Sequence, residues 1–359
     1  MKIDVIKFGG TSLKNAEARK KAIALIQQHA IDHSVVAVVS AMGRYDDAYA
    51  TDTLASLIHN FVTKKEKDRL LSIGEIISSI VLCDELIASG LNATSLSILK
   101  AGIMTDACYG RASVEYVRTD ELYDALKKYQ VVVVPGFQGL SPEKEVTTLG
   151  RGGSDYSAVI LARALHLKKA TIYSDVCGIY SGDPKIIEHV KLLDEISYHQ
   201  AKEIARYKSN VINEDAVAYA EKYHIDLILK STFEPELSTI IKEQAQKQHC
   251  ICYANGYIEI RFEKLLNLDD LNRASFRLAN DHYIFEKKEL EKLKTPYTLI
   301  DHYTMVHFVG FENDLTNILK DITNCPLIKA QNDKNTFFIP EKESVKIINQ
   351  WHDAIILEG

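Results

Sequence analysis

TTLGRGGSD, residues Thr147 to Asp155, lies between an apolar run, Val131 to Pro135, and a segment of helical character from Tyr156. Glycine lets backbone N–H groups converge on an anion without interference from a Cβ. The planar fork of Arg151 suits a carboxylate or a phosphate. The string reads either as an anion-handling turn or as a plain tight turn between strand and helix. The rest of the chain has to decide.

Working outward, Val131 to Val134 is a continuous β-branched run, as in a strand buried on both faces of a parallel sheet, and it delivers Pro135-Gly136-Phe137-Gln138-Gly139. Near the N-terminus, IDVIKF (residues 3–8) predicts a strand, Gly9 to Ser12 a glycine turn, and Ala16 to Gln28 a helix. That order places backbone donors and a positive helix end around an anion, with Lys7 as either a point charge for it or a surface lysine. No Walker A string occurs. A second strand, Ser34 to Val39, runs into Ser40-Ala41-Met42-Gly43, and Thr51 and Asp52 are placed to cap the following helix. Leu70 to Leu86 has a largely apolar helical pattern with Glu75 near its start, a costly place for a carboxylate unless it is paired. Residues 92–98 predict another strand.

Beyond the opening stretch, Tyr156 to Leu167 predicts a helix and Ala170 to Tyr173 a strand ending in SDVCGIYSGDPK, residues Ser174 to Lys185. Its aspartates and lysine suit a nucleotide or its metal, or an Asx turn with a solvated lysine. Helices over Tyr198 to Tyr207 and Asp215 to Lys222 precede a strand from Asp226. Strands alternating with helices imply an α/β fold, a mostly parallel sheet sandwiched by helices. The carboxyl ends of five strands carry glycine, hydroxyl or charge, as a ligand cleft requires. With no Ser-His-Asp set and no metal-spaced cluster, a phosphoryl-transfer site fits best.

Composition changes after Gln244, so the 359 residues divide into 1–243 and a smaller α+β domain, 244–359. In the latter, strands are predicted over Ile251 to Phe262, Thr304 to Phe308 and Thr336 to Ile339, and helices over Asp269 to Ala279, Asp314 to Ile322 and Lys342 to Asp353. A net charge of −6 without a long basic block argues against nucleic acid as a partner. Six cysteines without a CxxC pair fit reduced thiols. No apolar window is long enough for a membrane span, and a cytoplasmic protein is expected.

Taken together, KFGGTS (Lys7 to Ser12), VVSAMG (Val38 to Gly43) with TDTL (Thr51 to Leu54), LLSIGE (Leu70 to Glu75), GFQG (Gly136 to Gly139), TTLGRGGSD and YSDVCGIYSGDPK resemble the aspartokinases of the amino acid kinase family. The likeness runs in order and spacing over about residues 1–240, and AMGRYDDAYATDTL looks most like the Gram-positive, diaminopimelate-sensitive type. The resemblance implies phosphorylation of the β-carboxylate of L-aspartate by ATP with Mg²⁺, on the route to lysine, threonine, methionine and diaminopimelate. By the same likeness Lys7 neutralises the transferring phosphoryl group, Gly9 and Gly10 donate amides, and Asp155 organises the centre. Ser40, Thr51, Glu75, Phe137, Arg151 and Ser154 match aspartate-binding positions, with Arg151 on the α-carboxylate and Glu75 on the ammonium. Ser174, Asp175, Tyr180, Asp183 and Lys185 match the nucleotide site. The region from about 245 is similar to a shortened, degenerate pair of ACT regulatory domains, which implies a homodimer and an inhibitory amino acid such as lysine, threonine or diaminopimelate.

Two departures stand out. A family segment like GAKVLHPRA reads KSNVINEDA here, so its lysine becomes Asn210 and its proline and arginine become Glu214 and Asp215. Lys208, two residues earlier, is the candidate replacement cation for the nucleotide. Cys177 stands where the family usually has an acidic residue. The alternatives are a kinase for another acidic amino acid in a specialised pathway, and a catalytically impaired regulatory homologue.

Overall fold

The computed structural model describes residues 1–59, 61–207, 211–263, 268–278, 281–330 and 333–357. The chain divides into two compact units, one of residues 1–179, 194–202 and 210–246, the other of 180–193, 203–209 and 247–359.

In chain order, the elements up to residue 242 are β1 (Ile3–Phe8), α1 (Gly10–Leu13), α2 (Ala16–Ala30), β2 (Ser34–Val39), α3 (Thr51–Ser56), α4 (Lys64–Ala88), β3 (Ala93–Ser95), α5 (Ile98–Ala101), β4 (Ile103–Thr105), β5 (Val114–Val117), α6 (Asp120–Lys128), β6 (Val131–Pro135), β7 (Gln138–Leu140), β8 (Val146–Thr148), α7 (Gly153–Ala164), β9 (Lys169–Ser174), β10 (Glu195–Ser197), α8 (Tyr198–Arg206), α9 (Glu214–Tyr223), β11 (Asp226–Ser231) and β12 (Ser238–Lys242). Eight strands form one sheet in the order β10-β12-β11-β9-β1-β2-β6-β3. All its pairings are parallel except β11 with β12. The expected mostly parallel sheet is therefore present. β6 is buried at every position, as its β-branched run requires of a strand covered on both faces. From β1 the chain steps to one side through β2, β6 and β3, then returns to place β9 on the other side of β1. The sheet's switch point thus falls between β1 and β9, where the strand ends open a crevice.

Local signals set the helix starts. Asn15 accepts a hydrogen bond from the Ala18 N–H at 2.9 Å to cap α2, and Asn213 accepts one from Ala216 at 2.8 Å to cap α9. α4 is longer than the pattern from Leu70 suggests, because Thr63 caps it by accepting from the Glu66 N–H at 3.2 Å. The expected caps Thr51 and Asp52 do not act as such. Ala50 holds the N-cap position of α3 without a side-chain bond, and Asp52 sits in the first turn, where helix polarity favours a carboxylate. Strands β4, β5, β7 and β8 form a separate small sheet.

The remaining elements are β13 (Cys250–Phe262), α10 (Leu268–Leu271), β14 (Phe276–Arg277), β15 (His282–Glu286), α11 (Lys287–Leu290), β16 (Tyr297–Val309), α12 (Thr316–Thr323), β17 (Ile328–Lys329), β18 (Thr336–Pro340) and α13 (Ser344–His352). Their six strands form a sheet ordered β14-β15-β13-β16-β18-β17 with antiparallel pairings, which fits an ACT-like α+β body. The helix expected over Asp269 to Ala279 is confined to α10. Phe276 instead pairs with Ile284 and packs its ring edge-on against Phe338, centroids 4.7 Å apart, a tertiary contact that outweighs local helical propensity. Segment 180–193 is built into this second unit: Ile187 joins Trp351, Ile347 and Ile355 in its core, Glu188 N–H donates to Asn349 Oδ1 at 3.0 Å, and the Ser181 hydroxyl meets Nε2 of the buried His352 at 2.9 Å. No helix among the described residues is long and apolar enough to cross a membrane.

Candidate functional site

At the β1/β9 switch point lies a cleft of about 200 Å³ lined by Lys7, Gly9, Gly10, Thr11, Gly43, Arg44, Asp155, Ile172, Ser174, Asp175 and Val211. Lys7 projects from the end of β1 with its side chain about one-tenth exposed, and its Nζ sits 2.6 Å from Asp155 Oδ1. Asp155 lies in the first turn of α7, so a lysine and a positive helix end hold one carboxylate between them. The glycine turn after β1 exists for backbone approach. A Cβ on Gly10 would stand 2.5 Å from Gly43 O and 2.6 Å from Ala41 O, and Gly43 N–H donates to Gly10 O at 2.9 Å. The ends of β1 and β2 are thereby pressed together as only glycine permits.

TTLGRGGSD divides its residues between strand and helix. α7 begins at Gly153, three residues before the expected Tyr156, with Gly152 as N-cap at φ +75°. A left-handed N-cap needs glycine, and the earlier start places Ser154 and Asp155 on the helix instead of in a loop. Upstream, the buried carboxylate of Asp68 on α4 accepts from Thr148 N–H at 2.8 Å, Thr148 Oγ1 at 2.9 Å and Gly110 N–H at 2.8 Å. This tie between α4 and β8 carries no recognisable motif; the only sequence signal is an aspartate entering an apolar helix. Asp68→Ala strands three donors, two of them backbone, and should lower the unfolding free energy of this unit by ~2–4 kcal/mol in urea titration. A loss below about 0.5 kcal/mol, as at an ordinary surface position, would count against the tie.

Most residues matched to aspartate binding gather around the ends of β2 and β6. Glu75 is buried, with Oε1 accepting from the Ala41 N–H at 3.0 Å and Oε2 without a partner. Burial pushes its carboxyl up to about 8, opposed by that N–H, by its own backbone N–H and by the charge of Lys7. Ser40, next to Ala41, donates its N–H to Phe8 O at 3.1 Å. Phe137 holds φ +70°, rare for a bulky residue and characteristic of ligand-binding backbone. Its N–H donates to Ser157 Oγ at 3.0 Å and its C=O accepts from Leu149 at 2.8 Å. Ser154 is packed so closely that a Cβ on Gly136 would meet it at 2.9 Å. Arg151 is set apart by exposure: its side chain is 88% accessible, with Nη2 3.5 Å from Asp52 Oδ1. Its carbonyl is anchored by Asn213 Nδ2 at 2.7 Å, so the turn is fixed while the guanidinium stays free to move. Thr51 opens α3 next to that aspartate.

The residues matched to the nucleotide are distributed between the units. Ser174 and Asp175 line the cleft, with Ser174 Oγ closing a turn on Val176 N–H at 3.2 Å. Tyr180, Asp183 and Lys185 belong to the second unit. There Asp183 Oδ1 accepts from the Lys185 N–H at 2.9 Å in an Asx turn, and its Oδ2 accepts from Tyr253 OH at 3.2 Å. Lys208 and Asn210 lie outside the described residues. Arg44 went unnoticed in the sequence, although it directly follows the glycine that ends VVSAMG. Its Nη2 reaches Asp175 Oδ2 at 2.7 Å and its Nε reaches Thr11 Oγ1 at 3.1 Å. With 68% of the side chain exposed, this bond contributes little by itself and yields readily to an incoming anion.

The sequence pattern of the amino acid kinase family matches residues 2–231. The chain belongs to the amino acid kinase family. Among curated family members, Aspartokinase 2 of Bacillus subtilis is 39% identical over 252 residues, 69% of this chain and 60% of that protein. The aspartokinase of Geobacillus stearothermophilus is 39% identical over 253 residues, 70% of this chain and 62% of the relative. The chain thus spans about three-fifths of the length of these relatives. In fold it is similar to Escherichia coli aspartokinase III crystallised with lysine and aspartate, TM-score 0.76 at 20% identity over 98% of this chain and 99% of that one. It is also similar to Clostridium acetobutylicum aspartate kinase, TM-score 0.71 at 19% identity over the whole of both chains.

Proposed function

We propose that this protein transfers the γ-phosphoryl group of ATP to the β-carboxylate of L-aspartate, giving 4-phospho-L-aspartate and ADP. The observation that carries the reading is the buried Lys7–Asp155 pair at the switch-point cleft, in an amino acid kinase chain whose curated relatives are named aspartokinases. A carboxylate is already a nucleophile at neutral pH, so no general base is needed. One carboxylate oxygen forms the new bond to the γ-phosphorus while the bond from phosphorus to the bridging oxygen breaks, and that oxygen leaves with ADP. The obstacle is bringing two anions together, and the protein's task is positioning and charge neutralisation.

In this reading Lys7 and the Gly9 and Gly10 amides stabilise the transferring group, Asp155 orients Lys7, and Ser174 and Asp175 border the nucleotide. The same likeness matches Tyr180, Asp183, Lys185 and Lys208 to the nucleotide. Ser40, Thr51, Glu75, Phe137, Arg151 and Ser154 hold aspartate. Among the described residues no group of three or more His, Cys, Asp or Glu side chains could hold a metal. Asp155 and Asp175 do line the cleft, and Mg²⁺ arriving on nucleotide phosphates needs only one or two carboxylates. The residues therefore fit a magnesium ion carried by ATP, which supplies charge neutralisation on the phosphate oxygens when bound. We assign the second unit to regulation as an ACT-like body of a homodimer, with lysine, threonine and diaminopimelate as the amino acids to titrate against it.

Hydroxylamine trapping provides the test. With L-aspartate and MgATP the protein should form aspartyl hydroxamate in step with ADP release, and D-aspartate and L-glutamate should give far less. ADP release without hydroxamate from L-aspartate would remove the assignment. The freely placed guanidinium of Arg151 leads to a second expectation. Arg151→Ala should raise the aspartate KM by ~10–100-fold, the loss of a charged hydrogen-bonded contact, with little change in the ATP KM. The opposite pattern would move Arg151 to the nucleotide.

A further inference from the structure

Arg44 stands where the two glycine turns of the cleft meet, and the local backbone aims it. Gly43, in the left-handed region at φ +83°, donates its N–H to Gly10 O at 2.9 Å and so ties the turn after β2 to the turn after β1. Asp47 Oδ2 then accepts from the Arg44 N–H at 2.8 Å, and the Asp47 N–H donates to Arg44 O at 2.9 Å. With its backbone fixed in this way, the side chain reaches from one strand end to another. The Nε and Nη2 edge of the guanidinium is served by two separate oxygens, Thr11 Oγ1 and Asp175 Oδ2, where one phosphate group would offer both at once. Thr11, Arg44 and Asp175 all line the cleft, so opening this bond presents the guanidinium to whatever the cleft holds. Lys7 is nearly buried and already compensated by Asp155 at 2.6 Å. The Arg44–Asp175 pair is exposed at both ends and gives way at little cost. Of the two cations that line the cleft among the described residues, Arg44 is therefore the one that can change partners.

Resting on the assignment of this cleft to phosphoryl transfer, we propose that Arg44 is a phosphate clamp whose guanidinium exchanges the Asp175 carboxylate for phosphate oxygens when the nucleotide enters. Charge balance favours the exchange. Lys7 and Arg44 against Asp155 and Asp175 leave the side chains of the cleft neutral, and a triphosphate adds negative charge that a cation released from its carboxylate can meet. The demand is sharper in this chain because Asn210 stands where the family segment carries a lysine. Arginine suits the task, since its planar fork matches phosphate and stays charged at any working pH.

Calorimetric titration of the full chain in the absence of an acceptor tests the clamp whatever the acceptor is. Arg44→Ala, with an unchanged circular dichroism spectrum, should weaken MgATP binding by ~10–100-fold, the size of a charged bidentate contact, and leave adenosine binding as it is. Arg44→Lys should recover part of the loss. Inorganic tripolyphosphate in magnesium-free buffer reads the exchange itself: removing Arg44 should cost more affinity in an Asp175→Asn background, where the guanidinium has no carboxylate to leave, than in wild type. MgATP binding that depends on Arg44 in a protein that forms no aspartyl hydroxamate would keep the clamp and remove only the acceptor. Unchanged MgATP affinity in folded Arg44→Ala, an equal loss for adenosine, or a tripolyphosphate loss no larger in the Asp175→Asn background would each overturn the clamp.

Discussion

Glu75→Gln is expected to make the protein more stable and less active, with the gain in stability growing as pH rises. The Glu75 carboxyl titrates near 8 in the folded chain, against an ordinary value of 4.5, chiefly because it is buried. In the unfolded chain it loses its proton above 4.5. Between these values the folded state binds more protons than the unfolded state, and stability falls as pH rises through that window. At pH 7 holding the proton costs the fold about 3 kcal/mol. Glutamine keeps the shape and an acceptor for the Ala41 N–H but does not titrate. The variant should match wild type near pH 4 and exceed it by about 3 kcal/mol at pH 7 in denaturant titrations. A difference that stays flat with pH would show that Glu75 does not hold its proton.

The same residue links binding to protons. A substrate ammonium beside the unpartnered Oε2 favours the ionised form, so aspartate binding at pH 7 should release a proton, seen as heat that varies with the ionisation enthalpy of the buffer. Affinity should rise with pH up to about 8, where Glu75 is half ionised before substrate arrives. Glu75→Gln should abolish the released proton and raise the aspartate KM ~10–100-fold, the size of a charged hydrogen bond. Stability is thus given up at this position for recognition, as at many functional sites.

The second large effect concerns Lys7 and Asp155. Both side chains are nearly buried and paired at 2.6 Å, so removing one leaves the other charge without compensation. Lys7→Met or Asp155→Leu alone should cost about 3–5 kcal/mol, whereas the double substitution should recover most of that loss. The pair would then show a coupling energy of ~2 kcal/mol or more in a double-mutant cycle. Lys7→Met and the double variant should lose ~10²–10³-fold in kcat, since electrostatic stabilisation of the transferring group goes with the lysine. Stabilities that simply add would mean the two charges are solvated separately.

The sheet was legible because its signals are local. IDVIKF, SVVAVV and VVVV are β-branched runs, each followed by glycine or hydroxyl residues, and they form β1, β2 and β6 with their expected strand ends. Boundaries that depend on backbone conformation were less so. A glycine pair such as Gly152-Gly153 reads as a turn, and only the left-handed φ of Gly152 shows that a helix starts there. The uniform apolar pattern of α4 did not distinguish the face bearing Glu75 from the face bearing Ile80; burial against β8 and the end of β2 does.

By itself the sequence determined the central strands β1, β2, β6 and β9, the glycine turns at their ends, and the charges available to them, because each depends on neighbours a few residues away. Tertiary structure alone decided that Lys7 and Asp155, 148 positions apart, share one buried contact, that burial raises the Glu75 carboxyl, and that segment 180–193 packs with Trp351. Those outcomes depend on which distant groups exclude water from a side chain, and desolvation is a property of the packed fold, absent from the order of its residues.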